Sequence, residues 1–146
     1  MEIRFAQRGD GEGILRLIQA LAAYEEAPDE VINTSAELEM HLFDEQICSA
    51  LVCEVDSEII AFALWYTSYS TWKGKCLYLE DFFVLPEFRK TGIGGKLFDR
   101  VVEIARASGV KRMDWQVLEW NQLAIDFYKK RNAVLDPEWL NGRLFF

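Results

Sequence analysis

Ile3 and Phe5 alternate with polar neighbours, and this period of two predicts a short first strand. From residue 10 the period lengthens. Asp10 can cap a helix that places Ile14, Leu17, Ile18 and Leu21 on one face and ends near Glu25-Glu26, before Pro28. A second, shorter helix opens at Thr34 or Ser35 and runs through Leu38, Leu42 and Phe43. Cys48 to Val55 and Ile59 to Tyr69 are β-prone runs flanking Asp56-Ser57-Glu58, which predicts a hairpin. Lys75 to Leu85 is a further strand, almost wholly apolar up to Glu80 and again after Asp81. Ile93, Leu97, Val101 and Ala105, with Phe98 and Val102, form the apolar stripe of a long helix closed by Gly109. Arg112 to Leu118 predicts another strand. Asn121 to Arg131 predicts a helix ended by Asn132, and Arg143 to Phe146 a last short strand. The order βααβββαβαβ implies one α/β domain over residues 1–146. Its mixed sheet would have helices on both faces and a ligand cleft where the parallel strands part.

The joint between the Lys75–Leu85 strand and the following helix carries the strongest chemical signal. Glu80-Asp81-Phe82-Phe83-Val84-Leu85 stops at Pro86, and Arg89-Lys90-Thr91-Gly92-Ile93-Gly94-Gly95 leads into the helix. A glycine-rich turn at a helix N-terminus aims unpaired N–H groups and the positive end of the helix dipole at one point, which suits a phosphate or pyrophosphate. The glycine spacing lacks the Gly-Lys-Ser/Thr tail of a Walker loop. It also lacks the third glycine of a dinucleotide fingerprint, where Leu97 stands instead. What remains is Arg-x-x-Gly-x-Gly, with two acids a few residues upstream on the strand.

Composition narrows the partners. The 146 residues are 51% hydrophobic and 27% charged, which describes a globular chain. A net charge of −8 argues against nucleic acid and anionic membranes, and is compatible with a cationic substrate. Cys48, Cys53 and Cys76 show no Cys-x-x-Cys spacing, which favours reduced thiols in a cytoplasmic protein over disulfides or zinc. His41 is the only histidine. No Gly-x-Ser-x-Gly elbow partners it, so a boundary position on a helix is its expected place.

These segments resemble the GNAT N-acetyltransferases. Arg89-x-x-Gly92-x-Gly94 is similar to their acetyl-CoA motif, and Asn121 to Tyr128 to their second motif, Asn-x-x-Ala-x-x-Phe-Tyr. Within the family the resemblance is closest to the spermidine/spermine and thialysine acetyltransferases. It rests on Leu21-Ala22-Ala23-Tyr24-Glu25, Tyr78-Leu79-Glu80-Asp81-Phe82-Phe83-Val84, Glu119-Trp120-Asn121 and Arg143-Leu144-Phe145.

The resemblance implies that acetyl-CoA is the donor. Its pantetheine would lie along Phe82, Phe83 and Val84 and its pyrophosphate over Arg89, Lys90, Thr91, Gly92, Ile93, Gly94 and Gly95, with Asn121 and Ala124 also contributing. Tyr128 would protonate the CoA sulfur and Glu80 would act as base; a phenol with a reference pKa of about 10 is protonated at neutral pH. Tyr24, Glu25, Asp81, Trp72 and Gln116 would hold the amine. No metal is implied, and a homodimer is. In a regular strand Glu80 and Asp81 point to opposite sides, so both can face one cleft only across a bulge.

Two departures bear on the substrate. Polyamine enzymes carry Asp-Pro-Trp where this chain has Ser70-Thr71-Trp72, and Glu-Gly-Trp where it has Leu140-Asn141-Gly142. One missing charge partner removes roughly 1–3 kcal/mol of binding. A diamine or thialysine-like amino acid is therefore the expected acceptor ahead of a long polyamine. The alternatives are a CoA-binding regulatory module without turnover and a protein lysine or N-terminal acetyltransferase.

Overall fold

The computed structural model describes residues 1–146 in full. The chain forms two compact units, Met1–Gln116 and Val117–Phe146.

The first unit is built on a five-stranded sheet in the order β1-β2-β3-β4-β5. The strands are β1 (Glu2–Phe5), β2 (Ser49–Val55), β3 (Glu58–Ser70), β4 (Gly74–Val84) and β5 (Met113–Asp114). β1 to β4 pair antiparallel. Asp56 and Ser57 both adopt positive φ, 49° and 65°, which makes the tight turn of the expected β2–β3 hairpin. The long helix α3 (Ile93–Ala107) then crosses from β4 to β5, which pairs parallel to it. The mixed sheet and its parallel crossover are as the sequence predicts.

Helices cover both faces. α1 (Gly11–Tyr24) and α2 (Ser35–Glu39) bury Ile14, Leu17 and Leu38 against Ala50, Val52, Phe62 and Phe83. α3 packs over β2, β3 and β4 with Leu97, Phe98 and Val101 buried. α2 runs directly into a π-helical turn, Met40–Asp44, in which the Glu45 N–H reaches back to the Met40 carbonyl.

Three expectations are corrected. Asp10 stands at the N-cap position of α1, but its side chain makes no capping bond. Its carboxylate receives Arg4 at 2.7 and 3.1 Å and the Gln7 N–H at 2.8 Å. Glu39 of α2 takes over instead, its Oε1 accepting the Gly9 and Gly11 N–H groups at 2.8 and 3.0 Å. The strand expected over Arg112–Leu118 is reduced to Met113–Asp114, because β4 pairs with it only at Leu77 and Tyr78. The strand expected at Arg143–Phe146 does not form, and these residues stay exposed.

In the second unit α4 (Gln122–Lys129) begins at Asn121, whose Oδ1 accepts the Ala124 N–H at 3.2 Å. Asn132 ends the segment at φ 61°, the left-handed position foreseen for it. No helix of the chain is long and apolar enough to cross a membrane.

Candidate active site

β4 supplies the first element of the site. Its register against β3 slips by one residue: Trp65 faces Leu79, while Leu64 faces Asp81, so Glu80 is the extra residue of a β-bulge. The slip changes the parity of the strand. Tyr78 stacks on Tyr66 across the pair at 5.3 Å, on the face that α1 and α2 cover further along. Glu80 follows Tyr78 by two and keeps that face. Beyond the bulge, Asp81 and the core residue Phe83 share it too. Both acids thus line one open cavity of about 440 Å3 between the sheet and the α2 region, as the sequence required of a bulge here.

The cavity is electrostatically frustrated. Burial, then the charge of Glu80, then that of Glu25 push Asp81 up to about 7. Burial raises Glu25, at the C-terminal end of α1, above the ordinary carboxylate range. The Tyr66 phenol is also raised, by burial and by Glu80. An ammonium group in the cavity would favour the charged form of Asp81 and so oppose its upward shift.

The turn after β4 supplies the second element. Lys90 takes φ 64° and Gly92 φ 89°, two left-handed residues that fold the chain back into the first turn of α3. The Thr91 hydroxyl donates to the Phe88 carbonyl at 2.6 Å and fixes the loop. The first intrahelical bond of α3 comes from Lys96 to the Gly92 carbonyl. The Ile93, Gly94 and Gly95 N–H groups precede it and lie at the positive end of the helix dipole.

Gly94 is informative because the protein itself does not require glycine there. Its φ is ordinary, and an added Cβ would meet Val84 Cγ2 at 3.6 Å and Phe82 Cζ at 3.7 Å, normal contact distances. The Leu85 N–H donates to Ile60 of β3, so by alternation the Phe82 and Val84 backbone groups address the opposite edge of β4. β5 has already ended at Asp114 on that edge, so no strand pairs there.

The remaining predicted residues fall in different places. Arg89 donates from Nε to the Val84 carbonyl at 3.0 Å, with its guanidinium 5.0 Å from the Tyr24 ring centre and 5.4 Å from that of Phe83. It ties the end of α1 to the end of β4. Tyr24 is half-buried beside it. Trp72 stands at the β3–β4 hairpin, 83% exposed, and is not part of the cavity wall. Gln116 is exposed beyond β5. Tyr128 is buried in the second unit, its ring edge-on to Phe127 at 5.5 Å. Sequence reasoning missed Asn33 and His41, which line the same cavity as the acids. His41 was expected only at a boundary, and neither residue stands in a motif that would have singled it out.

The profile of the acetyltransferase (GNAT) family matches residues 15–133. The chain belongs to that family. Among curated GNAT relatives, a thialysine N-epsilon-acetyltransferase from Bos taurus is 41% identical over 140 residues, covering 90% of this chain and 82% of that one. A spermidine/spermine N(1)-acetyltransferase-like protein from Homo sapiens is 37% identical, covering 91% of this chain but 20% of that one. Solved GNAT-like structures share the fold at low identity. A mutant Bacillus halodurans protein superposes with a TM-score of 0.81 at 22% identity, covering 99% of this chain and 100% of that one. An aminoglycoside acetyltransferase from a soil metagenomic sample gives 0.80 at 18%, with 99% and 95% covered. The protein is an N-acetyltransferase.

Proposed function

We propose that this acetyltransferase moves the acetyl group of acetyl-CoA directly to the primary amine of a small cationic acceptor, a diamine or a thialysine-like amino acid. The observation that carries the reading is the β4 bulge, which sets Glu80 and Asp81 together on a cavity wall a few residues before the glycine turn.

The amides of the α3 N-terminus suit a pyrophosphate, and the edge of β4 at Phe82–Val84, where no strand pairs and Arg89 holds the Val84 carbonyl, would lie along the amide-bearing pantetheine arm. Glu25 and Asp81 attract the acceptor as an ammonium ion. Glu80 takes a proton from it, directly or through water, so that the neutral amine attacks the thioester carbonyl. The new N–C bond forms as the C–S bond breaks, and the Tyr128 hydroxyl supplies the proton that converts the leaving thiolate to free CoA. Tyr128 then recovers its proton from solvent. In this reading the acyl group never rests on the protein. In this reading the enzyme works as a homodimer in the cytoplasm.

Two variants test the proton transfers. Tyr128→Phe keeps CoA binding and lowers turnover by roughly 10²–10⁴-fold, the range of general acid catalysis. Glu80→Gln flattens the rise of kcat with pH. Turnover unchanged in both, under conditions where chemistry limits the rate, excludes these roles.

A further inference from the structure

α1 ends without the residues that usually finish a helix. Glu26 takes the left-handed position at φ 62°, where glycine is the ordinary choice, and the N–H groups of Glu26 and Ala27 bond back to the Ala23 and Ala22 carbonyls at 3.1 and 2.8 Å. The last turn carries no basic side chain to meet the negative end of the helix dipole. Arg89 brings that charge from another element. Its guanidinium lies 5.0 Å from the ring centre of Tyr24, the last residue of α1, and 5.4 Å from that of Phe83, within cation–π range. Its Nε donates to the Val84 carbonyl at 3.0 Å, which ties the group to β4. Phe83 belongs to the core beneath α1, whereas Phe82 and Val84, one residue either side, are the side chains nearest Gly94 of the cradle. The Arg89 guanidinium therefore sits on the α1 face of the sheet, and Gly94 on the other.

Glu25 follows Tyr24 directly, and it is close enough to Asp81 for its charge to raise that carboxyl. A chain of contacts thus runs from the end of β4 through Arg89 to Tyr24, and on to the acids. From it we infer that Arg89 is a positioning residue for the amine, holding the end of α1, and with it Glu25, in place beside Asp81. Its side chain is then no ligand of the CoA pyrophosphate, the role its place in Arg-x-x-Gly-x-Gly would suggest. The inference rests on the amine-acceptor reading above and moves this arginine from the donor side of the site to the acceptor side. Lysine is an incomplete substitute, because a planar guanidinium donates to a carbonyl in its plane while its faces meet aromatic rings.

Calorimetry with CoA, and with 1,5-diaminopentane titrated into the CoA-loaded protein, separates the two roles. Arg89→Met removes the guanidinium and keeps an unbranched apolar stem. It should weaken the diamine about three- to tenfold, the size of one cation–π contact, and leave CoA affinity within about twofold. Arg89→Lys, which keeps the charge, should restore part of the loss. In a Tyr24→Leu background the Arg89→Met step should no longer weaken the diamine, since the arginine acts through that ring. Weakened CoA with unaltered diamine affinity makes Arg89 a phosphate ligand and overturns the inference, as does an equal loss for both ligands or no loss for either. The expected split in affinities, found in a protein that acetylates no amine, would leave the positioning role standing and defeat the transfer reading instead.

Discussion

Asp81 is the residue on which the site's electrostatics turn. Its carboxyl, ordinarily at 3.8, is held near 7 by burial first and by Glu80 and Glu25 after that. Between those two values the folded protein binds a proton that the unfolded chain has released, so stability falls as pH rises through the window and levels off above it. Asp81→Asn should therefore raise the melting temperature at pH 8, leave it nearly unchanged at pH 4, and weaken amine binding. A melting temperature at pH 8 no higher than that of the unaltered protein would contradict the burial argument. The identities of Glu80 and Asp81 were legible in the sequence. Their shared face was legible only as a condition, because strand parity forbids it without a bulge, and a bulge depends on pairing with β3. Asn33 and His41 were not legible at all, since their place on the cavity comes from how α2 lies against the sheet.

At the scale of elements, the helices were read well because a period of 3.6 is a local property: the stripe from Ile93 to Ala105 is buried as expected. The failures all involve partners distant in sequence. Glu39 rather than Asp10 satisfies the start of α1, because Arg4 on β1 already holds the Asp10 carboxylate. β5 is short because a strand extends only as far as its neighbour pairs with it. The turn between β4 and α3 gives the sharpest test at this scale. Gly94→Ala fits ordinary contact distances and should keep or slightly raise stability, given alanine's advantage of about 1 kcal/mol within a helix. The same substitution should weaken CoA by crowding the backbone, and Gly94→Val should do so more strongly. Calorimetry showing a folded Gly94→Val protein with unaltered CoA affinity would exclude the cradle.

For the molecule as a whole, the mixed sheet and its βαβ crossover could be read from the order of elements, and the family from segments spread along the chain. The acceptor is harder to read, because it depends on charges brought together from α1, β4 and the α2 region. The exposed apolar side chains of the C-terminal segment, Trp139, Leu140, Leu144 and Phe145 among them, are suited to burial against a second copy. Sedimentation at micromolar concentration should give a dimer, and a single species near 16.9 kDa would refute it. The central claim, direct acetyl transfer from acetyl-CoA to a small primary amine, is tested most directly by one panel assay. Free CoA is measured as it is released from acetyl-CoA with lysine, thialysine, short diamines, spermidine and spermine side by side. The account predicts amine-dependent release, with kcat/KM for a thialysine- or diamine-sized acceptor above that for spermine. Tight acetyl-CoA binding without release for any amine in the panel would contradict it.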